Sequence, residues 1–168
     1  MNEKEKREKR LFADITSRIA KESHCLLIKV ACIAVRNGRI IATGINGTLP
    51  GSENCDDYFL RLFLCKNQGR YSKDEFEQWI ISGDFKKKHH SWGSIYERHA
   101  EVNLVGEAMR NEINLVGCDI YVSYEPCKHC AKLLSTISPK NIFYLNEYSR
   151  TPDESRKILK TFAHIEKL

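Results

Sequence analysis

The chain has 168 residues, a length typical of one domain with a sizeable hydrophobic core. Its 27 Lys and Arg against 22 Asp and Glu give a formal net charge of +5, and 42% of the residues are hydrophobic, values ordinary for a globular protein. The first ten residues are charged and no apolar run is long enough to cross a bilayer. We therefore expect neither a signal peptide nor a membrane partner.

Seven cysteines, an odd number without a secretory signal, argue against a full disulfide framework. Cys32 and Cys118 lie in or beside predicted strands, and Cys65 ends an apolar stretch, so we expect these three to be small buried residues. The positive charge is concentrated at residues 4–10 and 86–88, of which the first run has mixed signs and predicts a solvated helix. This charge is compatible with a nucleotide substrate but does not require one.

The predicted elements begin with a helix over the first twenty residues, where Leu11, Ile15 and Ile19 form an apolar face. Residues 26–35 predict a strand, and the following Asn-Gly pair predicts a tight type I′ turn that leads into a second strand over 39–43. Segment 44–51 contains three glycines and a proline, which predicts a loop.

Segment 52–96 is weakly periodic, and we interpret it as a long insertion with one or two short helices, over 57–66 and 73–81. Beyond it, helices are predicted over 99–110, 126–137 and 155–162, strands over 119–124 and 141–145, and a last short strand at the C-terminus. The chain is therefore predicted to form a single domain over residues 1–168. Its fold class is α/β, a three-layer α/β/α domain with a mixed central sheet.

Two short motifs carry the chemistry, His-x-Glu at 99–101 and Pro-Cys-x-x-Cys at 126–130. Cys127 and Cys130 are spaced i, i+3 at the start of a predicted helix, so their sulfurs point toward a common centre and the positive helix end favours thiolates. Together with His99 they provide three zinc ligands and leave a fourth position for water. This arrangement is typical of catalytic rather than structural zinc sites.

This pattern resembles the signature of the zinc-dependent nucleobase deaminases. In such a site zinc lowers the pKa of its water to about 7, and hydroxide attacks C4 of the pyrimidine. Glu101, two residues after His99, is the predicted catalytic residue that moves protons to N3 and to the departing amine. Glu125 is the alternative carboxylate, but it ends a predicted strand, and we expect it to be structural. A Cys-x-x-Cys pair alone is also typical of a structural zinc knuckle or a redox pair, and the joint occurrence of both motifs favours the catalytic site.

The chain resembles a narrower family, the deoxycytidylate (dCMP) deaminases, especially those of bacteriophages. The likeness spans about residues 11–150 and rests on the segments 37–44, 46–51, 99–103 and 126–132. It implies a cytidine-deaminase-like fold, a catalytic Zn²⁺, and hydrolysis of dCMP to dUMP and ammonia. Deaminases of free cytidine typically have Cys where this chain has His99, which weighs against that branch of the family.

The resemblance also implies three substrate contacts. Asn46 would bind the sugar, the backbone of Ala100 would touch the base edge, and Tyr148 matches a tyrosine near the nucleotide pocket. From the residues alone, Asn46 is also compatible with a role in a glycine-rich turn, and Tyr148 with ordinary packing.

Phage enzymes that this chain resembles carry a second, structural zinc on two Cys, one His and one Glu, and the matching positions are Cys25, Cys55, His89 and Glu97. A closed four-ligand site would hold the insertion against the hairpin. His90 competes with its neighbour for the histidine ligand. The alternative is two buried thiols and a surface ion pair.

Members of the family are often hexamers regulated by dCTP and dTTP, so the resemblance implies a homo-oligomer with these effectors. Ile45 stands where a tyrosine is usual in the glycine-rich loop, a departure that bears on regulation rather than on catalysis. The expected location is the cytoplasm, that of the host if a phage encodes the protein.

Two other functions share some of these features. A polynucleotide deaminase would need a basic groove with stacking aromatic residues, which segment 86–92 offers only in part, so we expect no nucleic-acid partner. A non-enzymatic zinc-binding module would leave Glu101 without a role. No motif distinguishes a monophosphate from a triphosphate substrate.

Overall fold

The computed structural model describes residues 2–148 and 152–168. Its helices are α1 (Glu3–Ala20), α2 (Cys55–Lys66), α3 (Lys73–Ile81), α4 (Gly83–Tyr96), α5 (Ala100–Arg110), α6 (Lys128–Ser135) and α7 (Pro152–Leu159). Its strands are β1 (Ala31–Arg36), β2 (Arg39–Ile45), β3 (Gly47–Thr48), β4 (Glu97–Arg98), β5 (Asp119–Tyr124), β6 (Asn141–Asn146) and β7 (His164–Lys167). None of these helices is long and apolar enough to cross a membrane.

Five strands form one mixed sheet in the order β2-β1-β5-β6-β7. β1 pairs antiparallel with β2 and β5, whereas β5 with β6 and β6 with β7 are parallel pairs. The turn between β1 and β2 consists of Asn37 and Gly38, whose φ angles of 52° and 71° are both positive, as a type I′ turn requires. The predicted hairpin is confirmed.

Helices cover both faces of this sheet. α1 packs on one face through a cluster of buried residues, Phe12, Ile33, Val35, Tyr121 and Phe143. On the other face α5, α6 and α7 contribute Leu104, Leu134 and Leu159, all fully buried, to the main core. The predicted three-layer α/β/α fold with a mixed sheet is confirmed.

The start of α5 lies unusually close to β2, and the contact depends on a glycine. A Cβ on Gly44 would overlap the carbonyl oxygen of Ala100 and the backbone of Leu104. Next to it, Nδ2 of Asn103 donates a hydrogen bond of 2.6 Å to the carbonyl of Ile45. The first turn of α5 is therefore fixed against the sheet by backbone contact.

Residues 55–96 form three helices, one more than the sequence predicts. The additional helix is α4, whose first turn is capped by the Ser82 hydroxyl, which accepts from the backbone N–H of Phe85 at 3.1 Å. Phe59 and Phe85 are buried with Cys55 in a separate aromatic cluster, with the two phenyl centroids 4.9 Å apart. Because α4 packs Phe85 and Trp92 into this cluster while Ile95 and Tyr96 remain exposed, its sequence lacks the regular stripe of a helix on the main sheet.

Three further expectations are wrong in part. The strand expected from residue 26 begins only at Ala31, because the backbone groups of Ile28 and Val30 bond to Asn46 instead of a neighbouring strand. The loop expected over 44–51 is partly extended, since β2 reaches Ile45 and β3 pairs with β4. Cys65, expected to be buried, is exposed near the end of α2, whereas Cys32 and Cys118 are buried as predicted.

Candidate active site

Two helix starts meet at the His-x-Glu and Pro-Cys-x-x-Cys motifs. His99 is the N-cap residue of α5 and Cys127 is the N-cap residue of α6, and neither side chain makes a capping hydrogen bond. Cys130 lies in the first turn of α6, where it is buried. The positive ends of two helices therefore converge on these three side chains.

The three side chains have the spacing of a tetrahedral metal site. Nδ1 of His99 lies 3.6 Å from Sγ of Cys127 and 3.3 Å from Sγ of Cys130. With Zn–S bonds of about 2.3 Å and Zn–N bonds of about 2.0 Å, a tetrahedron places its sulfur and nitrogen ligands about 3.5 Å apart. One imidazole and two sulfurs at this spacing fit a zinc ion.

The pKa values of the three donors are shifted in different directions. Hydrogen bonds from Cys130 and His99 lower the pKa of Cys127 to about 3. The shared hydrogen bond with Cys127, together with burial, raises the pKa of Cys130. The hydrogen bond to Cys127 also raises the pKa of His99. Without a cation the thiol pair thus holds one proton at neutral pH, and metal binding must displace it.

Glu101 lies in the first turn of α5 and only 3% of its surface is exposed. Burial raises its pKa above the usual range, while the neighbouring His99 and a hydrogen bond with Cys130 act in the opposite direction. A buried carboxylate beside the three donors is suited to taking up and returning a proton.

A cavity of about 290 Å³ opens at this point, at the lower end of the size range of small-molecule pockets. Its lining includes His99 and Cys127 from the three-donor group, and Glu101 beside them. The residues that the sequence suggests as substrate contacts, Asn46, Ala100 and Tyr148, line the same cavity.

The Asn46 side chain also holds the neighbouring backbone. Its Oδ1 accepts from the backbone N–H of Val30 at 2.8 Å, and its Nδ2 donates to the carbonyl of Ile28 at 2.9 Å. Asn46 therefore stabilises the backbone before β1, and it also lines the cavity.

Arg98 is a cavity residue that no motif marks in the sequence. It lies in β4, opposite Gly47 of β3, and directly precedes His99. Its Nε is buried and has no hydrogen-bond partner among the described residues. An arginine in a weakly patterned stretch gives no signal by itself, and only the folded structure shows that it lines the cavity.

A second group of donors borders the same cavity. Nε2 of His89 lies 3.5 Å from Sγ of Cys25, 3.2 Å from Sγ of Cys55 and 3.9 Å from Oε2 of Glu97. The donor atoms of all four residues lie within 4.8 Å of one another, and the group contains His89 rather than His90.

The electrostatics of this second group favour a bound cation. The two cysteines and His89 are buried, and Oε1 of Glu97 is buried without a hydrogen-bond partner in the described part of the chain. Burial raises the pKa of Glu97 to about 7, whereas the hydrogen bond from Cys55 lowers the pKa of Cys25 to about 4. A buried carboxylate beside a thiolate is costly unless a positive charge compensates it.

Glu125, the alternative catalytic carboxylate, is already engaged. Its Oε1 and Oε2 accept hydrogen bonds of 2.6 and 3.2 Å from Arg156. The geometry leaves Glu101 as the carboxylate beside the three donors.

Comparison with known proteins identifies the family. The family model described as the cytidine and deoxycytidylate deaminase zinc-binding region matches residues 6–146. The deoxycytidylate deaminases of Enterobacteria phages T4 and T2 are 30% and 31% identical to this chain over 143 residues, covering 79% of it and 74% and 76% of the phage proteins. The crystal structure of the cyanophage S-TIM5 dCMP deaminase in complex with dCMP and dUMP matches with a TM-score of 0.69 at 23% identity, covering 100% of this chain and 99% of that chain. This chain belongs to the cytidine and deoxycytidylate deaminase family.

Proposed function

We propose that this protein hydrolyses dCMP to dUMP and ammonia. The observation that carries the proposal is that His99, Cys127 and Cys130 form a three-donor group at a cavity whose wall contains His99, Cys127 and Glu101. The phage relatives are deoxycytidylate deaminases, and the cyanophage enzyme of the same fold binds dCMP and dUMP, which supports this substrate.

The catalytic Zn²⁺ would be held by His99, Cys127 and Cys130. Three donors leave one position of a four-coordinate shell for a further ligand. When bound, zinc supplies a Lewis acid that makes water nucleophilic near neutral pH.

Glu101 is the residue that moves protons in this proposal. As water adds to C4 of the cytosine ring, the carboxylate takes one proton from the water and delivers it to N3. The second proton of the water leaves with the amino group, so that the C4–N bond breaks, a C4 carbonyl forms and ammonia departs. One carboxylate performs both transfers because it lies beside the donors and is shielded from bulk water.

The remaining cavity residues would orient the nucleotide. Asn46 would bind the sugar, the backbone of Ala100 would contact the base edge, and Tyr148 would pack near the nucleotide. To these we add Arg98, whose cationic side chain would bind the substrate phosphate, since its Nε has no acceptor in the described part of the protein.

A second, structural Zn²⁺ would be held by Cys25, Cys55, His89 and Glu97. The unpartnered Oε1 of Glu97 and the packing of four donor groups support it. Such a site would tie α2 and α4 to the segment before β1 and to β4. Metal analysis of the purified protein should give two zinc ions per chain.

The native protein would be a homo-oligomer, on the precedent of hexamers in this family. Met109 on α5 and Val116 after it are 76% and 60% exposed, and apolar side chains at such positions are compatible with an interface between subunits. dCTP and dTTP are the expected effectors, with Ile45 altering their control. Sedimentation with and without each nucleotide measures both properties.

Ammonia release tests the main proposal. Parallel assays with dCMP, dCTP, CMP, deoxycytidine and a cytosine-containing oligonucleotide should show the highest kcat/KM with dCMP. Turnover of the oligonucleotide alone would contradict the proposal in favour of a polynucleotide deaminase.

A further inference from the structure

Helix α7 contributes no donor to either group, yet it holds the segment that leads into Cys127. We propose that Arg156 is a positioning residue for the catalytic metal site, acting through Glu125, with Ser155 supporting it. The proposal rests on the function proposed above, because it concerns the zinc that His99, Cys127 and Cys130 would bind.

The link between Arg156 and Glu125 is a two-point ion pair. The arginine Nε and Nη2 donate hydrogen bonds of 2.6 and 3.2 Å to the two carboxylate oxygens. The Glu125 side chain is 0% exposed and that of Arg156 is 31% exposed. A bidentate pair of this kind fixes direction as well as distance, and a fully buried carboxylate depends on its partner.

Two more hydrogen bonds hold the same segment. The Ser155 hydroxyl, buried in α7, donates to the carbonyl of Pro126. From the other side, the backbone N–H of Glu125 donates to the carbonyl of Asn146 in β6 at 2.8 Å. The two residues before Cys127 are therefore held by α7 and by the sheet.

Cys127 takes its position from this segment. It is an N-cap residue in extended conformation, with φ −68° and ψ 168°, and its own side chain makes no capping hydrogen bond. Its carbonyl accepts from the N–H of Ala131 at 2.8 Å, so the orientation of α6 and of Cys130 follows from the same backbone. A displacement at Glu125 or Pro126 is thus transmitted to both sulfurs.

Zinc is sensitive to such a displacement because its bonds to sulfur and nitrogen vary by only about 0.2 Å. Partners that orient the ligands of a metal typically change its affinity or the activity by about 10- to 100-fold when they are removed. We expect Arg156→Ala to weaken zinc binding at the three-donor group by that factor. It should lower kcat while the KM for dCMP stays within about twofold of its original value, because Arg156 does not line the cavity.

Zinc transfer to a chromophoric chelator, measured well below the melting temperature, is the first readout, and steady-state deamination of dCMP is the second. Both donor groups would release zinc to the chelator. The variant Cys55→Ser lacks a ligand of the four-donor group, so the phase of zinc release that it loses belongs to that group. Lys157→Ala, an exposed neighbour on α7, is the matched control and should release zinc at the original rate. Arg156→Lys, which keeps the charge but loses the two-point contact, should give a smaller effect than Arg156→Ala.

Arg156→Ala leaves a buried carboxylate unpaired and can unfold the chain, so the double variant Glu125→Gln, Arg156→Gln is made as well. It removes both charges and should fold, yet still release zinc faster than the original protein. If either folded variant shows a lower melting temperature with unchanged zinc release and unchanged kcat, the role is purely structural and the proposal is overturned. If the original protein fails to deaminate dCMP, the proposed function fails, while the zinc-release comparison still decides the role of Arg156.

Discussion

The two donor groups differ in the number of their ligands and in what surrounds them. The group around His99 has three donors and borders a buried carboxylate that is not one of them. The group around His89 has four donors, and its own carboxylate is one of the four. Three ligands would leave a coordination position for chemistry and four would close the shell, so similar residue types are proposed to serve different purposes in the two groups.

The extended stretch 97–99 connects the two groups. Glu97 joins the four-donor group, and His99, two residues later, joins the three-donor group. Glu97 lies in β4 and His99 caps α5 in an extended conformation, so the short extended stretch 97–99 carries a donor of each group. The extended stretch 97–99, rather than the long helices, therefore sets the distance between the proposed reaction centre and the proposed structural site.

The largest effect should come from removing the proton carrier at the three-donor group. Glu101→Gln keeps the shape of the side chain but cannot accept a proton, so kcat should fall by about 100- to 10,000-fold. Metal analysis should still give the zinc content of the original protein, because Glu101 is not among the donors. A variant that keeps its turnover would remove the functional contrast between the two groups.

The next effect concerns folding rather than turnover. Cys55→Ser should abolish the second zinc, and at free zinc 1,000-fold above the dissociation constant it should lower the free energy of unfolding by about 4 kcal/mol. Denaturant unfolding followed by circular dichroism measures this change. Cys65→Ser, at an exposed cysteine in the same helix, is the control and should leave stability unchanged. Equal stabilities of the two variants would show that no metal is bound by this group.

A smaller effect is expected at the boundary between the groups. Arg98→Gln removes the cation proposed to meet the substrate phosphate, and the lost charged hydrogen bond of about 2 kcal/mol should raise the KM for dCMP about 30-fold. The slow turnover of deoxycytidine, which has no phosphate, should stay the same. Equal losses with both substrates would place Arg98 in the scaffold rather than at the phosphate.

The smallest expected effect is the number of protons that each thiol pair releases when zinc binds. In each thiol pair one sulfur is already a thiolate, since the pKa of Cys127 is lowered to about 3 and that of Cys25 to about 4 by hydrogen bonds from their partners. Both values lie below the usual thiol pKa, so at pH 7 these two sulfurs carry no proton while their partners keep theirs. Zinc binding should therefore release about one proton per pair from sulfur. Calorimetric titration in buffers of different ionisation enthalpy measures the total number of protons released, which includes any from His99 and Glu97, whose pKa values are also raised. A total below one proton per thiol pair would contradict the prediction.

Local signals in the sequence predicted the parts of the fold that depend on local interactions. The Asn37-Gly38 turn needs only its own backbone preferences, and the strand over 119–124 has the buried pattern of a central strand, so both appear where they were predicted. α4 could not be predicted in this way because Phe85 and Trp92 face an aromatic cluster assembled from several helices, while its other large apolar residues are exposed. The β3–β4 pair is only two residues long on each side, and it forms between segments that are distant in the chain.

The candidate site shows the same division. His99, Glu101 and the two cysteines of the 126–130 motif stand out because close spacing marks them in the sequence. Arg98 and Arg156 do not, since their importance arises only from what the fold places beside them: a cavity in one case and the Glu125 carboxylate in the other. Spacing identifies the atoms that would bind the metal, whereas the residues that would orient them and the substrate require three-dimensional contacts.

The missing side chain at Gly44 has a consequence for engineering this protein. Because a methyl group there would collide with the peptide that carries Ala100, Gly44→Ala should shift the beginning of α5 and misalign His99 and Glu101 without altering either of them. A library designed to retune substrate choice by varying only cavity residues would overlook this position. A design that transfers the site to another scaffold must therefore include the part of β2 that contains Gly44, together with the metal-binding motifs.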